Sequence, residues 1–244
     1  MAAIGIAVEG LTKRFKSVTA LDGLSLDLEP GLLHGIIGPD GAGKTTTMRM
    51  LIGLLRPDAG TVRFRRGGAP VEFAEIRPGM AYMPQRQSLY ADLSISEHLD
   101  FFSDLYRLTA DVYSRRRAEL LAITRLDKFL DRPAGKLSGG MYKKLGLMCA
   151  LLQSPNVLLL DEPTNGVDPI SRREFWDLLY RLAGEGETTI VVTTAYMDEA
   201  ERCARVHLVD QGRALAEGEP REILRAEGVA GFDEFFLKRA GAPR

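Results

Sequence analysis

Residues 38–50, GPDGAGKTTTMRM, set three glycines, a lysine and a run of threonines at the start of a helical pattern. Lysine is unfavourable at a helix start, where unpaired backbone N–H groups already carry partial positive charge. A strongly negative neighbour reverses that preference. Gly38-x-x-x-x-Gly43-Lys44-Thr45 has the spacing of a phosphate-binding loop. The glycines let N–H groups turn inward as an anion nest, and the helix beginning near Thr45 aims further N–H groups at the same place. Lys44 neutralises the terminal phosphates, and the Thr45 hydroxyl is suited to Mg2+. The candidate nucleotide contacts are therefore Gly38, Pro39, Asp40, Gly41, Ala42, Gly43, Lys44, Thr45 and Thr46.

Two carboxylates supply the second half of that chemistry. LLLDEP (158–163) ends an apolar run with Asp161 and Glu162. Adjacent carboxylates at a strand end also fit a solvated turn. Paired with the loop, Asp161 supports Mg2+ and Glu162 polarises an attacking water.

These groups need rigid elements to hold them. LLHGII (32–37) reads as a buried parallel strand leading into the loop, and Thr45–Leu55 reads as a helix stopped near Pro57. LSLDL (24–28), TVRF (61–64) and MAYM (80–83) are further strand candidates. From Ser94 to about Leu152 the pattern is helical. It opens with Ser94 and Glu97 at capping-box spacing, and Leu99, Phe102 and Tyr106 follow at helical intervals. DRPAGKLSGG is a loop, and strand signals return at NVLLLDEP (156–163). Asp168 and Pro169 read as cap and first position of a helix whose apolar face is Phe175, Leu178, Leu179 and Leu182. TTIVVTT (188–194) is a buried strand, and VHLV and ALAE form a hairpin around Gln211-Gly212. Alternating strands and helices with a helical block between them predict an α/β core carrying a helical lobe.

Composition narrows the function classes. Formal net charge is -1 over 244 residues, which gives no basic field for nucleic acid. Cys149 and Cys203, the only cysteines, predict a reduced compartment rather than a disulfide framework. No stretch has the apolar length of a bilayer span, and MAAIGIAVEG lacks the pattern of a secretion signal, so the expected location is cytoplasmic. His34 and His207 read as structural, and the run Ser114-Arg115-Arg116-Arg117, with Glu119 close by, reads as a solvated helix face.

Together these residues resemble the nucleotide-binding subunits of ABC transporters. Five stretches occur in that family's order: GPDGAGKTT (38–46), YMPQ ending at Gln85, LSGGM (137–141), LLLDEP (158–163) and GVD (166–168). The match covers nearly the whole chain, and LSGG between the loop and the carboxylate pair is its most specific part. The resemblance implies an α/β fold with a P-loop NTPase (RecA-like) core and a small antiparallel β region. A helical subdomain is inserted at about 86–155, within one ABC nucleotide-binding domain spanning 1–244. It implies ATP and Mg2+ as cofactors, with two such domains closing head to tail around two ATP molecules. Glu162, Lys44 and Gln85 would be catalytic, Thr45, Gln85 and Asp161 would form the metal site, and Gln85 would sense Mg2+ and hinge the lobe. Ser138, Gly139 and Gly140 would start a helix pointing at the partner domain's γ-phosphate, although LSGG taken alone also fits a plain helix cap. Asp168 would lie across the dimer boundary, or serve only as the cap already described. Phe15, in LTKRF, falls where the family places an aromatic under adenine, and a core phenylalanine fits the sequence nearly as well. The implied partners are a second ABC ATPase domain and an integral-membrane transport subunit whose short helix docks on the lobe. No nucleic acid is expected, and the implied location is the inner face of the cell membrane. TNGVDPISRREFW, AYMDEAERC and FDEFFL look most like the drug-exporting branch.

One position departs from the family. A histidine that contacts the γ-phosphate is usual after the strand IVVTT, and this chain has Ala195 there. A methyl group cannot donate a hydrogen bond, and loss of one preorganised donor costs roughly 10²–10³ in rate. The expectation is intact Mg-ATP binding with slow hydrolysis, Tyr196 being the available replacement donor. Such a chain gains from an asymmetric partner whose site its own LSGG completes. Rival readings are a nucleotide-gated module with little turnover and a soluble ABC protein acting on ribosomes or DNA. Asp40, where asparagine or serine is common, places a carboxylate near phosphates.

Overall fold

The computed structural model describes residues 3–86 and 88–240. The ends of the expected domain, residues 1–2 and 241–244, lie outside the described residues, as do Met1 and Ala2 of the N-terminal stretch read above. Strands β1 (Ile4–Phe15), β2 (Val18–Leu28), β4 (Ala59–Arg66) and β5 (Ala69–Val71) form an antiparallel sheet in the order β2-β1-β4-β5. The second sheet holds β3 (Leu33–Ile37), β6 (Met80–Met83), β7 (Val157–Asp161), β8 (Thr189–Thr194), β9 (Arg205–Asp210) and β10 (Arg213–Gly218). Its order is β10-β9-β3-β8-β7-β6, parallel except for the β9–β10 hairpin.

The parallel sheet is apolar on both faces, as a sheet covered on both sides requires. Leu158 and Leu160 of β7 join a core with helices α5 (Gly139–Leu151) and α6 (Pro169–Gly184). Val157 and Leu159 point the other way, into a core shared with α1 (Lys44–Leu51) and the antiparallel sheet. Helix α1 is thus buried between the two sheets, with Met48 and Leu51 fully inaccessible. It ends at Leu51, four residues before the expected Leu55. Gly53 takes φ +74°, and the N–H groups of Leu54 and Leu55 both turn back to the Arg49 carbonyl, at 2.8 and 3.1 Å.

Short helix α2 (Phe73–Ile76) precedes β6, and α3 (Ile95–Leu105), α4 (Ala110–Thr124) and α5 make up the helical block. α3 carries the expected capping box, Ser94 accepting from Glu97 N and Glu97 accepting from Ser94 N. The arginine run is not a simple solvated face. Arg116 donates to the Leu151 carbonyl at 3.1 Å and Arg117 to Ser96 Oγ at 3.1 Å, so these long side chains tie α4 to its neighbours, and Arg115 alone of the three stays exposed. All three histidines are buried in structural roles. His34 Nδ1 lies 3.2 Å from His207 Nε2, and His98 accepts from Tyr90 N at 3.0 Å while its other nitrogen meets the Ser94 carbonyl. α7 (Pro220–Glu227) and α8 (Phe232–Ala240) close the C-terminal side, where Phe232 and Phe235 are buried.

Candidate active site

The loop after β3 wraps its own lysine. Gly43 sits at φ +103° as the N-cap of α1, a conformation strained for any residue with a Cβ, and a Cβ there would also lie 2.6 Å from the Ala20 carbonyl. Lys44 is 4 % exposed, and its Nζ donates to the carbonyls of Gly38 (2.8 Å) and Pro39 (3.0 Å). Gly41 takes φ +81°, and a Cβ there would meet nothing within 4 Å, so the backbone conformation and not crowding calls for glycine. The β9–β10 turn braces the loop from behind. Gly212 N donates to Ala42 O at 3.0 Å, and a Cβ on Gly38 would lie 2.1 Å from the Val209 carbonyl.

Asp161 ends β7 on the face that meets α1, directly opposite Thr193 of β8. Three hydroxyls fix its carboxylate: Thr193 (2.7 Å) and Thr45 (3.1 Å) donate to Oδ1, and Tyr82 (3.1 Å) donates to Oδ2. Burial, and then the neighbouring Asp161, push the Tyr82 hydroxyl up to about 12, so it stays a donor. Glu162 follows at φ +47°, a left-handed conformation that costs a non-glycine residue of order 1–3 kcal/mol. Its N–H is held by Thr193, with Oγ1 at 2.9 Å and O at 3.1 Å. Glu162 Oε1 lies 3.2 Å from Lys44 Nζ, while Oε2 accepts from Gln85 Nε2 at 2.6 Å and Asn165 Nδ2 at 3.2 Å. Lys143 of α5 reaches the Gln85 carbonyl at 3.4 Å, and burial lowers its ammonium below the usual lysine range against the pull of Asp161 and Glu162.

The structure therefore brings Lys44, Thr45, Gln85, Asp161 and Glu162 into one bonded cluster. Gln85 joins it on Glu162 rather than on Thr45 or Asp161. Among the described residues, no hydrogen bond joins Ser138, Gly139, Gly140 or Asp168 to that cluster. Ser138 caps α5 through Met141 N, and Asp168 caps α6 through Ile170 N (3.1 Å) and Ser171 N (3.0 Å). Those N–H groups hold the Asp168 carboxyl below the usual carboxylate range. Phe15 is not a core residue. It is 45 % exposed at the end of β1, with the Lys13 ammonium 5.7 Å from its ring centre. Asp40 is exposed, and with Glu162, Asn165, Thr194, Ala195 and Tyr196 it borders a cavity of about 140 Å3.

The ABC transporter sequence profile matches residues 21–165, more than half of the chain. The chain belongs to the ABC transporter family. The cassette is 47 % identical over 221 residues to the probable multidrug ABC transporter ATP-binding protein YbhF of Escherichia coli (strain K12). That alignment takes in 89 % of the cassette and 38 % of YbhF, so the cassette spans well under half the length of that relative. It is 40 % identical over 223 residues to the Nod factor export ATP-binding protein I of Ralstonia nicotianae, covering 91 % of the cassette and 69 % of that protein. A solved structure of an ATP binding subunit of an ABC transporter superposes with TM-score 0.81 at 29 % identity, over 96 % of the cassette and 98 % of that chain. This similarity carries the P-loop NTPase fold. Among the described residues of the cassette, no helix is long and apolar enough to cross a membrane.

The donor set of the cassette suits Mg2+. Thr45 and Asp161 offer hard oxygen ligands already in contact, and among the described residues no group of three His, Cys, Asp or Glu side chains is placed to hold a metal ion. Mg2+ takes one or two protein oxygens and completes its shell with water and phosphate, so a sparse set fits. Sequence reasoning missed Tyr82, Thr193, Asn165 and Gly212. Only Gly212 carried a signal, as a hairpin turn, and the sequence does not show that the turn backs onto the loop.

Proposed function

We propose that this cassette is the Mg-ATP-binding ATPase of an exporter, closing with a second ATPase domain on ATP and driving a separate membrane subunit. The connection of Lys44, Glu162 and Gln85, with Thr45 and Asp161 beside them, is the observation that supports it most. Lys44 and the loop N–H groups hold the terminal phosphates, and Phe15 offers an exposed ring face to adenine. Mg2+, when bound by Thr45 and Asp161, draws charge off the phosphate oxygens. Glu162 takes a proton from the attacking water at Oε1, beside Lys44. Ser138 and Gly139 present the start of α5 to the partner domain's nucleotide, and Gly140 and Asp168 shape that boundary. Residues of about 86–155 act as the helical subdomain, coupled to the site through Gln85. A groove of about 600 Å3 lined by Tyr82, Met83, Leu89, Phe102 and Tyr106 supports docking of a short helix from the membrane subunit. In this reading the cassette is cytoplasmic and peripheral on the inner face of the membrane.

Turnover is slow, because Ala195 offers the cavity only a methyl group. Calorimetry with Mg-ATP on the parent chain and on Lys44→Ala tests the reading. Heat from the parent and none from the variant supports it, and silence from both overturns it. The same alanine favours a second reading, a nucleotide-gated module with little turnover. Hydrolysis assayed with and without the membrane partner separates the two.

A further inference from the structure

Glu162 Oε2 accepts two amide donors, Gln85 Nε2 at 2.6 Å and Asn165 Nδ2 at 3.2 Å. A carboxylate oxygen has room for about two such bonds, so Oε2 is saturated and Oε1, beside Lys44, keeps a free lone pair. The carboxylate only accepts, which fixes the Asn165 amide with its NH2 toward Glu162. Asn165 Oδ1 then faces Tyr196, whose hydroxyl donates to it across 3.5 Å. Tyr196 is itself clamped. The Arg172 guanidinium lies 4.8 Å from its ring centre, and Arg172 pairs with Asp198 and, at 3.4 Å, with Glu199. The loop bearing Asn165 is anchored on the same carboxylate, because Thr164 Oγ1 donates to Glu199 at 3.0 Å. Glu199 is fully buried and also accepts from Trp176 Nε1 at 2.9 Å. Tyr196, through Arg172, and the loop bearing Asn165, through Thr164, therefore hang from one fixed point in the core, Glu199.

We propose that Asn165 is a positioning residue for Glu162, with Tyr196 fixing the Asn165 amide. The pair does its work on the side of the cavity where Ala195 has nothing to offer. The inference rests on the proposed function, in which Glu162 Oε1 takes the water proton. Asn165 and Tyr196 are both exposed, so substitution there leaves the core intact. Misplacing a reacting group by about 1 Å costs up to roughly 10²-fold.

The test is steady-state and single-turnover Mg-ATP hydrolysis, with calorimetric ATP binding and melting temperature measured alongside. Asn165→Ala is expected to lower kcat about 10- to 100-fold with KM, ATP binding and melting temperature unchanged. Asn165→Asp sets a carboxylate against Glu162 and moves the acid limb of the pH–rate profile upward. Tyr196→Phe keeps the ring under Arg172 and lowers kcat by a smaller factor. Asn165→Ala hydrolysing at the parent rate overturns the inference, as does a parent chain that binds ATP without single-turnover hydrolysis. Matched losses of affinity, melting temperature and rate assign Asn165 to loop packing alone and overturn it equally. Absence of ATP binding by the parent instead overturns the reading of the site itself.

Discussion

Lys44 and Glu162 form an ion pair of 3.2 Å in which the two side chains are 4 % and 8 % exposed. The proposed phosphate-binding cation and the proposed base are thus each other's counter-charge, and a phosphate that engages Lys44 releases Oε1 of Glu162 toward water. Buried pairs of this kind are costly to break from one side only, by about 3–5 kcal/mol, because the remaining charge is left unpaired. Lys44→Ala should therefore lose ATP binding and also lower stability in urea. The double variant Lys44→Ala/Glu162→Gln should recover part of that stability without recovering binding. Equal stability of the parent and Lys44→Ala would show that Gln85 and Asn165 satisfy the carboxylate alone.

Ala195 borders the cavity beside Glu162 and Thr194, so a longer side chain has somewhere to go. Ala195→His should raise the hydrolysis rate by roughly 10²–10³ while leaving ATP affinity unchanged. A variant no faster than its parent shows that the missing donor does not limit turnover.

The two glycines of LSGG should respond differently to alanine. A Cβ on Gly140 would lie 2.4 Å from Ser171 Oγ and 2.5 Å from Ser171 Cβ, so Gly140 lets α5 pack against the start of α6. A Cβ on Gly139 would meet nothing nearer than the Gly166 carbonyl at 3.4 Å. Gly140→Ala should lower the melting temperature. Gly139→Ala should leave it unchanged and weaken ATP-dependent dimerisation, measured by light scattering.

Burial brings the His34 imidazole down from 6.5 to about 4, against the pull of the Glu29 carbonyl and with His207 and Arg205 adding to the drop. Above pH 6.5 neither folded nor unfolded chain protonates this group. As pH falls toward 4 the unfolded chain takes a proton that the fold refuses, so stability declines through that window, by roughly 3 kcal/mol in total. Urea titrations from pH 7 to 4 should show this loss. His34→Gln should flatten the slope even if the variant is less stable throughout.

Local order of residues made much of this protein legible. The strand–loop–helix around Gly38–Thr45 needs only an apolar run, glycines and a following helical period, and β3 and α1 appear where those signals stand. The caps at Ser94, Ser138 and Asp168 were readable for the same reason, since a cap bonds to N–H groups two or three residues on. The first strand was not anticipated. Ile4, Ile6, Val8 and Leu11 are buried only because β2 and β4 flank them and α1 lies beneath. In the arginine run the exposed Arg115 and the Arg116–Glu119 pair fit the local reading, while the further partners Leu151 and Ser96 come from other helices and were not legible.

By itself the sequence determined which groups are present: a loop that can fold its amides inward, a lysine, a threonine, two carboxylates and an amide. Each of those properties belongs to a residue and its near neighbours. Only the tertiary structure decided that Thr193 and Tyr82 hold Asp161, that Gly212 braces the loop, and that Asn165 joins Gln85 on one oxygen of Glu162. These partners are supplied by strand order and register in the parallel sheet. Register is set by how two cores fill on its opposite faces, a condition on the whole chain that no local stretch encodes.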